Sequence, residues 1–223
     1  MSGTAILNFH GIGMPRRELE PDEAAWWISA DRFRAILDLI PQAPQPVAIT
    51  FDDGNASDLD IAAPELAARG LSAEVFALTG RLGRPGSLSA AGLRELEAAG
   101  MRVGTHGVDH VDWRRAEAAT LSREIEESRA RLGEILGREI DAAAIPFGSY
   151  GPHVLRALQR AGLTRIYTSD GGMADPAAWL RPRNSVRADM DLPAVRAILT
   201  GEEPLRRRLR RAATMRLKRG LAV

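Results

Sequence analysis

The sequence predicts an α/β protein whose mostly parallel strands form a closed or nearly closed (β/α) barrel. Short apolar runs alternate along the chain with segments of helical apolar spacing, which favours a parallel sheet. The runs are continuous, as expected for strands that are covered on both faces. Three junctions, "AARGLSAEVFAL", "EAAGMRVGTH" and "QRAGLTRIYTS", place a glycine between a helix end and a strand. With six or more such units and no obvious linker, a barrel is favoured over an open doubly wound sheet.

Six strands are predicted in order along the chain. They are Ala5–Phe9, Val47–Phe51, Ala73–Leu78, Arg102–Thr105, Ala142–Ile145 and Arg165–Thr168. Two intervening segments carry an apolar stripe at helical spacing. The stripes are Phe33, Ile36, Leu37 and Ile40, and then Leu121, Ile125, Leu132 and Ile135. In both sheet arrangements, functional side chains gather beyond the carboxyl ends of the strands.

Charge is distributed unevenly over the 223 residues, whose net charge is +1. Residues 202–223 contain eight Lys or Arg and two Glu, so this segment carries +6 and the preceding 201 residues carry −5. Such a chain is not an electrostatic nucleic-acid binder as a whole, and no aromatic or glycine pattern accompanies the basic segment. We therefore expect no nucleic-acid partner. Two domains are predicted, a catalytic domain over 1–201 and a basic, helical C-terminal tail over 202–223.

Compartment is predicted only by default. The chain has no cysteine, which excludes disulfides and thiolate metal sites. Its start, "MSGTAILNFHGIG", lacks the basic and apolar regions of a secretory signal. No apolar run approaches the roughly 20 residues that a membrane span needs. A cytoplasmic location is expected. The basic tail is interpreted either as a solvated helix packed on the domain or as a peripheral contact with the inner membrane surface.

Candidate chemistry lies at three predicted strand ends. The stretch "VAITFDDG" ends in Asp52 and Asp53, "AILNFH" ends in His10, and "MRVGTHGVDH" ends in His106 and His110. An Asp-Gly turn is the ordinary interpretation of the first, and a His-x-x-x-His spacing alone is weak evidence for a metal site. If the strand ends share one rim, however, imidazole and carboxylate groups meet there, and these are the usual ligands of a hydrolytic metal ion.

Four motifs together resemble the polysaccharide deacetylase family, the carbohydrate esterases with a NodB-type homology domain. "TFDDG" and "THGVDH" resemble the first two motifs of that family, and "PFGSY" resembles the third. "ILNFHGIG" is similar to the "YHxI" start of the subgroup that includes poly-N-acetylglucosamine deacetylases. The resemblance covers roughly residues 5–186, and it implies a deformed (β/α) barrel that holds one divalent ion.

By the same resemblance, Asp53, His106 and His110 are the metal ligands and Asp52 is the general base. Zinc is the first expectation for such a ligand set, with nickel, cobalt and manganese as alternatives. The ion polarises the amide carbonyl and lowers the pKa of its water, and Asp52 takes the proton. Most of the family carries its general acid near the C-terminus, but no histidine follows His153 here. His10 matches the acid of the "YHxI" subgroup, and a hydrogen-bonded core histidine is the alternative.

The third motif departs from the family pattern, because "AAAIPFG" lacks the arginine that partners the base. "LRPRNSV" supplies Arg183 as the candidate partner, with an ordinary surface arginine as the alternative. The backbone N–H of Phe147 is expected in the oxyanion hole. Tyr150 either lines the sugar site or packs, and Trp113, close to His110, is expected to contact substrate.

These expectations favour a metal-dependent de-N-acetylase acting on N-acetylhexosamine units of a bacterial exopolysaccharide or its lipid-linked precursor. The same metal chemistry also suits hydrolysis of another amide or of an O-acetyl ester. A non-catalytic carbohydrate-binding or membrane-associated protein is the alternative from a different class, and the complete Asp–Asp–His–His set argues against it.

Overall fold

A nine-stranded sheet, mostly parallel and nearly closed into a barrel, forms the centre of the protein. The computed structural model describes residues 3–220. The predicted fold class is confirmed, and the last three residues of the predicted tail lie outside the described residues. Six parallel strands follow one another around the barrel in chain order, β1 to β6. They are β1 (Thr4–Phe9), β2 (Val47–Asp53), β3 (Glu74–Ala77), β4 (Arg102–Thr105), β5 (Ala142–Ala144) and β6 (Arg165–Thr168).

Three short strands that the sequence did not predict complete the sheet. They are β7 (Met173–Ala174), β8 (Leu180–Pro182) and β9 (Asn184–Ser185). β8 pairs with β6, and β9, one residue further on, pairs with β1 on the opposite edge. Residues 180–185 therefore join the two edges of the sheet, with Arg183 at the change of partner. β7 adds the antiparallel pair to β1.

Helices cover the outside of the barrel. They are α1 (Ala30–Leu37), α2 (Ala63–Ala67), α3 (Ala90–Ala98), α4 (Ala118–Leu136), α5 (Pro152–Arg160), α6 (Leu192–Thr200) and α7 (Leu205–Arg219). A π-helical turn over Asp58–Ala62 precedes α2. The predicted stripes of α1 and α4 face the sheet, since Phe33, Ile36, Leu121 and Ile125 are buried. Burial of such side chains stabilises the fold by about 1.5–3 kcal/mol each.

Strand pleating sends alternate residues of β2 in opposite directions. Phe51 packs outward against Phe9 and the α1 residue Phe33, with ring centroids 5.5 and 6.0 Å away. Thr50 and Asp52 belong to the opposite face, where the barrel interior contains Phe76 and Tyr167. The carboxyl ends of β1 to β6 all lie on one rim because these strands are parallel, so the strand order directs the polar side chains of this rim toward one another.

Candidate metal and catalytic site

Asp52 and Arg183 form a buried ion pair inside the barrel. Two guanidinium nitrogens of Arg183 donate to the two carboxylate oxygens of Asp52, each at 2.7 Å. Asn8 Nδ2 donates to Asp52 Oδ2 at 3.0 Å, and Asn8 Oδ1 accepts from Arg183 at 2.9 Å. The guanidinium also lies over the rings of Phe76 and Tyr167. Asp52, Arg183 and Asn8 are each hydrogen-bonded to the other two, which fixes the direction of the Asp52 carboxylate.

The environment keeps Asp52 ionised. Burial is the largest single influence and raises the pKa of its carboxyl, but the charge of Arg183, the charges of His106 and His10 and the hydrogen bonds from Arg183 together outweigh burial. The pKa of Asp52 is therefore well below its usual range. The ordinary surface arginine considered for Arg183 is excluded, since its side chain is fully buried.

Asp53, His106 and His110 bring one ligand atom each to within 4.8 Å of one another. Asp53 Oδ1 lies 3.7 Å from Nε2 of each histidine. This buried oxygen has no hydrogen-bond partner among the described residues. An unpartnered carboxylate oxygen facing two imidazole nitrogens fits a divalent cation, and the donor set is one that zinc accepts. The three residues that the sequence grouped as ligands thus meet at one point of the rim.

Three residues around this point have left-handed backbone conformations. Only four non-glycine residues in the described range 3–220 have positive φ, and they include Asp53 at 77°, His110 at 56° and Phe147 at 57°. Such conformations are uncommon outside glycine and cluster where the surrounding structure imposes them. At Asp53 the left-handed conformation changes the backbone direction, so the carboxylate does not follow the alternating side-chain directions of β2. The local sequence "DDG" accommodates it, because Gly54 continues with φ 69°.

The loop that joins the two histidines is held on both sides by hydrogen bonds. Glu124, fully buried on α4, accepts from the backbone N–H of Val108 at 2.9 Å and of Asp109 at 3.2 Å. On the other side, the N–H groups of Thr79 and Gly80 donate to loop carbonyls at 3.0 and 2.9 Å. The positions of both imidazoles therefore depend on a carboxylate that is not itself a ligand. The sequence pattern did not identify Glu124, although it interrupts the apolar stripe of α4.

Replacing Glu124 by glutamine is expected to weaken metal affinity about tenfold, in the range found for residues that orient ligands. The amide presents an NH₂ group to loop N–H donors, so at least one of these bonds is lost. The measurement is competition for zinc against a chelator of known affinity. Glu127→Gln, an exposed residue of the same helix, is the matched control and should bind zinc normally. Equal affinity in both variants would contradict the role of Glu124.

His106 is held as a neutral imidazole. Its Nδ1 lies 2.9 Å from the carbonyl oxygen of Ala144, so Nδ1 carries the proton and Nε2 offers its lone pair toward Asp53. Burial, with a smaller contribution from the neighbouring His110, lowers its pKa to about 4, against the attraction of Asp52 and Asp53. His110 is less enclosed, and its Nδ1 lies 3.5 Å from Glu20 Oε2. Carboxylate neighbours of this kind orient histidine ligands.

The lowered pKa of His106 predicts acid sensitivity of the metal-free protein. Unfolded His106 takes up a proton near pH 6.5, whereas the folded form takes it up only near pH 4. Stability from this group is therefore complete above about pH 6.5 and is lost as the pH falls toward 4, by about 3 kcal/mol in total. Urea unfolding with chelator at several pH values measures it. His106→Gln should flatten the slope, and the exposed His153→Gln should leave it unchanged.

His10 lies next to Asp52 on the same rim. The register pairs Phe9 with Phe51, so the following residues, His10 and Asp52, leave adjacent strand ends together. The ring is half-buried and lies 5.2 Å from that of Trp26, which in turn is covered by Arg187. His10 Nδ1 has no hydrogen-bond partner within residues 3–220. This placement disagrees with a hydrogen-bonded core histidine beneath the sheet.

Phe147 follows β5 and stacks on His110, one of the candidate metal ligands. Its ring centroid is 4.3 Å from that of His110, and 62% of the side chain is exposed. The left-handed conformation continues at Gly148, with φ 58°. The aromatic residue of the "PFG" segment is thus beside the candidate metal ligands, at the opening of the barrel.

Two residues expected at the substrate are instead buried. Trp113 is fully buried in the cluster with Leu121 and Ile125 of α4, so the expected substrate contact is wrong. Proximity to His110 in sequence did not imply the same direction, because the loop turns its apolar ring under the helix. Tyr150 is also fully buried, and its hydroxyl donates to Asp170 at 2.8 Å. Of the two alternatives for Tyr150, packing is the observed one.

A third aspartate beside the site escaped the sequence analysis. Asp58 is fully buried, and neither carboxyl oxygen has a hydrogen-bond partner in the part of the chain that the structure describes. Burial, followed by the charge of Asp53, raises its pKa well above the usual value. A protonated Asp58 adds no further negative charge next to Asp53. An aspartate just before a helix, as in the stretch "NASD", is typical of a helix cap, so the sequence carries no sign of a buried carboxyl there.

A mostly parallel barrel with an Asp–His–His group at its rim is the arrangement expected of a protein whose metal site is suited to hydrolysis. The family model described as polysaccharide deacetylase matches residues 40–166, more than half of the chain. The chain belongs to the polysaccharide deacetylase family. The predicted family is therefore confirmed, whereas its "YHxI" subgroup stays a prediction.

Relatives and solved structures agree with this assignment. The protein YxkH of Bacillus subtilis (strain 168) is 22% identical over 184 residues, which are 76% of this chain and 65% of that protein. The chain thus spans slightly less than two thirds of this relative. The deacetylase PplD of Streptococcus pyogenes superposes with a TM-score of 0.76 at 22% identity, over 91% of this chain and 99% of that chain. IcaB from Ammonifex degensii gives 0.73 at 22% identity, over 88% and 97%. At these identities the superpositions establish the fold.

Proposed function

We propose that the protein is a metal-dependent de-N-acetylase that removes acetyl groups from N-acetylhexosamine units of a bacterial exopolysaccharide or its lipid-linked precursor. One observation carries the proposal: the Asp53–His106–His110 group adjoins an ionised Asp52 and the half-buried His10 on a single rim. Family membership supports the substrate class. The position of His10 after β1, beside the end of β2, supports our proposal of the "YHxI" subgroup.

The three ligand residues would hold one divalent ion, for which zinc is our first choice. The ion would supply Lewis acidity, polarising the acetyl carbonyl and making a water molecule more acidic. The neutral state of His106 leaves its Nε2 lone pair available without prior loss of a proton at neutral pH. The unpartnered oxygen of Asp53 is the negatively charged member of the set.

Asp52 accepts the proton of the attacking water. Its carboxylate oxygens are bonded by Arg183 and Asn8, so the remaining lone pairs alone are open to the water. The same contacts stop the carboxylate from rotating toward Asp53. Arg183 thereby separates the tasks of two adjacent aspartates, one for the proton and one for the ion.

His10 donates a proton to the departing amine. Its ring adjoins Asp52, and Trp26 packs against it. The backbone N–H of Phe147 is our proposed donor to the oxyanion, because the residue stacks on His110 at the barrel opening. Both assignments leave the buried Trp113 and Tyr150 as structural residues.

Replacing His10 by alanine is expected to lower kcat about 10²- to 10⁴-fold while changing KM little, because an amine leaves poorly without a proton. Initial rates on a soluble N-acetylated oligosaccharide measure both constants. The exposed His153→Ala is the matched control and should behave as the unchanged protein. A His10 variant with normal kcat would exclude it as the acid.

The proposed function is tested by comparing the acetate released from N-acetylglucosamine oligomers with the free amino groups formed on them. De-N-acetylation yields one acetate for each amino group left on a sugar, whereas an O-acetyl esterase yields neither from these oligomers and releases acetate without a free amino group from an O-acetylated glycan. Activity should vanish after chelator treatment and return on addition of zinc. If the zinc-loaded protein forms no amine from N-acetylglucosamine oligomers or N-acetylated exopolysaccharide, the proposal fails.

A further inference from the structure

The exposed large apolar side chains of residues 3–220 form two groups, one on segments that follow strands and one on α7. Met14 follows β1, Phe147 follows β5, and Leu192 follows β9, all on parallel strands. The other three belong to α7 and are Leu205, Leu209 and Leu217, with 63%, 59% and 71% exposed. Exposed apolar groups gathered on one part of a protein indicate an interaction surface.

One face of α7 is fastened to the rim. Lys218 Nζ pairs with Asp170 at 2.6 Å and donates to the carbonyl oxygen of Gly148 at 3.0 Å. The same ammonium lies 4.9 Å from the centre of the Tyr150 ring. Gly148 directly follows Phe147, which stacks on His110. The C-terminal turn of the helix is thereby placed beside the opening of the barrel.

The opposite face of α7 is apolar and basic. With 3.6 residues per turn, Leu205, Leu209 and Leu217 fall within an arc of about 120° that faces away from Lys218. Exposed arginines lie on the same side, namely Arg206, Arg210 and Arg216. The sequence of α7 contains eight Lys or Arg and no Asp or Glu. Leucines between arginines are the pattern of a helix that lies in the interface of an anionic membrane.

We propose that the outer face of α7 docks on an anionic lipid surface and holds the barrel at that surface. The basic charge selects anionic headgroups, and the three leucines enter the boundary between headgroups and acyl chains. A nucleic-acid surface would leave these leucines exposed to water. This inference rests on the proposed function in one respect, since the glycan would then be processed at a membrane surface.

The test is co-sedimentation of the full chain with vesicles. Vesicles of phosphatidylcholine with about half phosphatidylglycerol should bind it at least tenfold more tightly than phosphatidylcholine alone, and salt should weaken the difference. The triple variant Arg206→Gln, Arg210→Gln, Arg216→Gln should lose about a hundredfold in partitioning. Leu205→Ser, Leu209→Ser, Leu217→Ser should lose at least tenfold. A control with Arg94→Gln and Arg131→Gln, on α3 and α4, should bind normally.

Three outcomes overturn the inference: equal binding to neutral and anionic vesicles, full binding by either triple variant, or a chain dimer that the leucine variant dissolves. The last would make a second copy the occupant. Acetate release from a soluble oligosaccharide is measured in parallel and should be unchanged in both variants, because these side chains point away from the site. Vesicle binding without any acetate release would reject the proposed function and leave the membrane inference standing.

Discussion

Replacing Asp52 by asparagine is expected to lower kcat/KM for acetate release by about 10²- to 10⁴-fold while one zinc ion per chain remains bound. The amide has nearly the same shape and still accepts a hydrogen bond from Arg183, but it cannot take a proton from water. The three metal ligands are untouched. Acetate release and zinc content, measured on the same preparation, separate the loss of the base from the loss of the ion.

Asp53→Asn is the contrasting variant for this experiment. It changes the neighbouring carboxylate, so activity and zinc should be lost together. Unfolding midpoints of both variants must be recorded, because the amide at 52 leaves the buried guanidinium without a counter-charge. Activity of Asp52→Asn within about threefold of the unchanged protein would remove Asp52 as the base, whatever the magnitude of that instability.

Replacing Arg183 by glutamine is expected to reduce the free energy of unfolding by about 3–5 kcal/mol, because it leaves the buried Asp52 carboxylate unpaired. It should also raise the pKa of Asp52, since the charge of Arg183 is the main influence that opposes burial. The sign follows from linkage. In the unchanged protein this carboxylate contributes stability above the unfolded pKa, about 3.9, and loses it as the pH falls through its lower folded pKa.

The acid limb of kcat/KM should therefore move to higher pH in Arg183→Gln. Urea unfolding and pH–rate profiles supply the two measurements. Arg181→Gln, a half-buried arginine of β8 two residues earlier, is the control and should change both quantities little. Arg183→Lys restores the charge without the paired donors, so it should recover the pH profile better than the rate. An unmoved acid limb in Arg183→Gln would separate Arg183 from the ionisation of Asp52.

Much of the fold was predictable because short, mainly apolar runs alternate along the chain with segments of helical spacing. The strands β7 to β9 were not, since two or three residues such as "NS" or "LRP" carry no apolar pattern. Their pairing depends on edges that exist only once the six main strands have assembled. Closure of the barrel was therefore predictable from the number of strand–helix units. The segment that closes the barrel, residues 180–185, was not predictable.

The candidate site was likewise only partly predictable from the sequence. Asp53, His106 and His110 could be grouped because each is close to a strand end, and parallel strands share a rim. Glu124 could not, because a glutamate on an amphipathic helix is usually solvated, and its loop partners are backbone groups without a sequence signature. The direction of a side chain was the second obstacle: Trp113 is close in sequence to His110 yet turns into the core.

Closure of the barrel through Arg183 also sets an order in time. Its hydrogen bonds reach back 131 residues to Asp52 and 175 residues to Asn8, and contacts across such separations form late compared with local ones. A nascent chain that has not yet released residues 180–185 from the ribosome already contains both aspartates and both ligand histidines. It lacks the guanidinium that holds Asp52 ionised, so the carboxylate of Asp52 cannot be oriented for its proposed role before residues 180–185 have emerged.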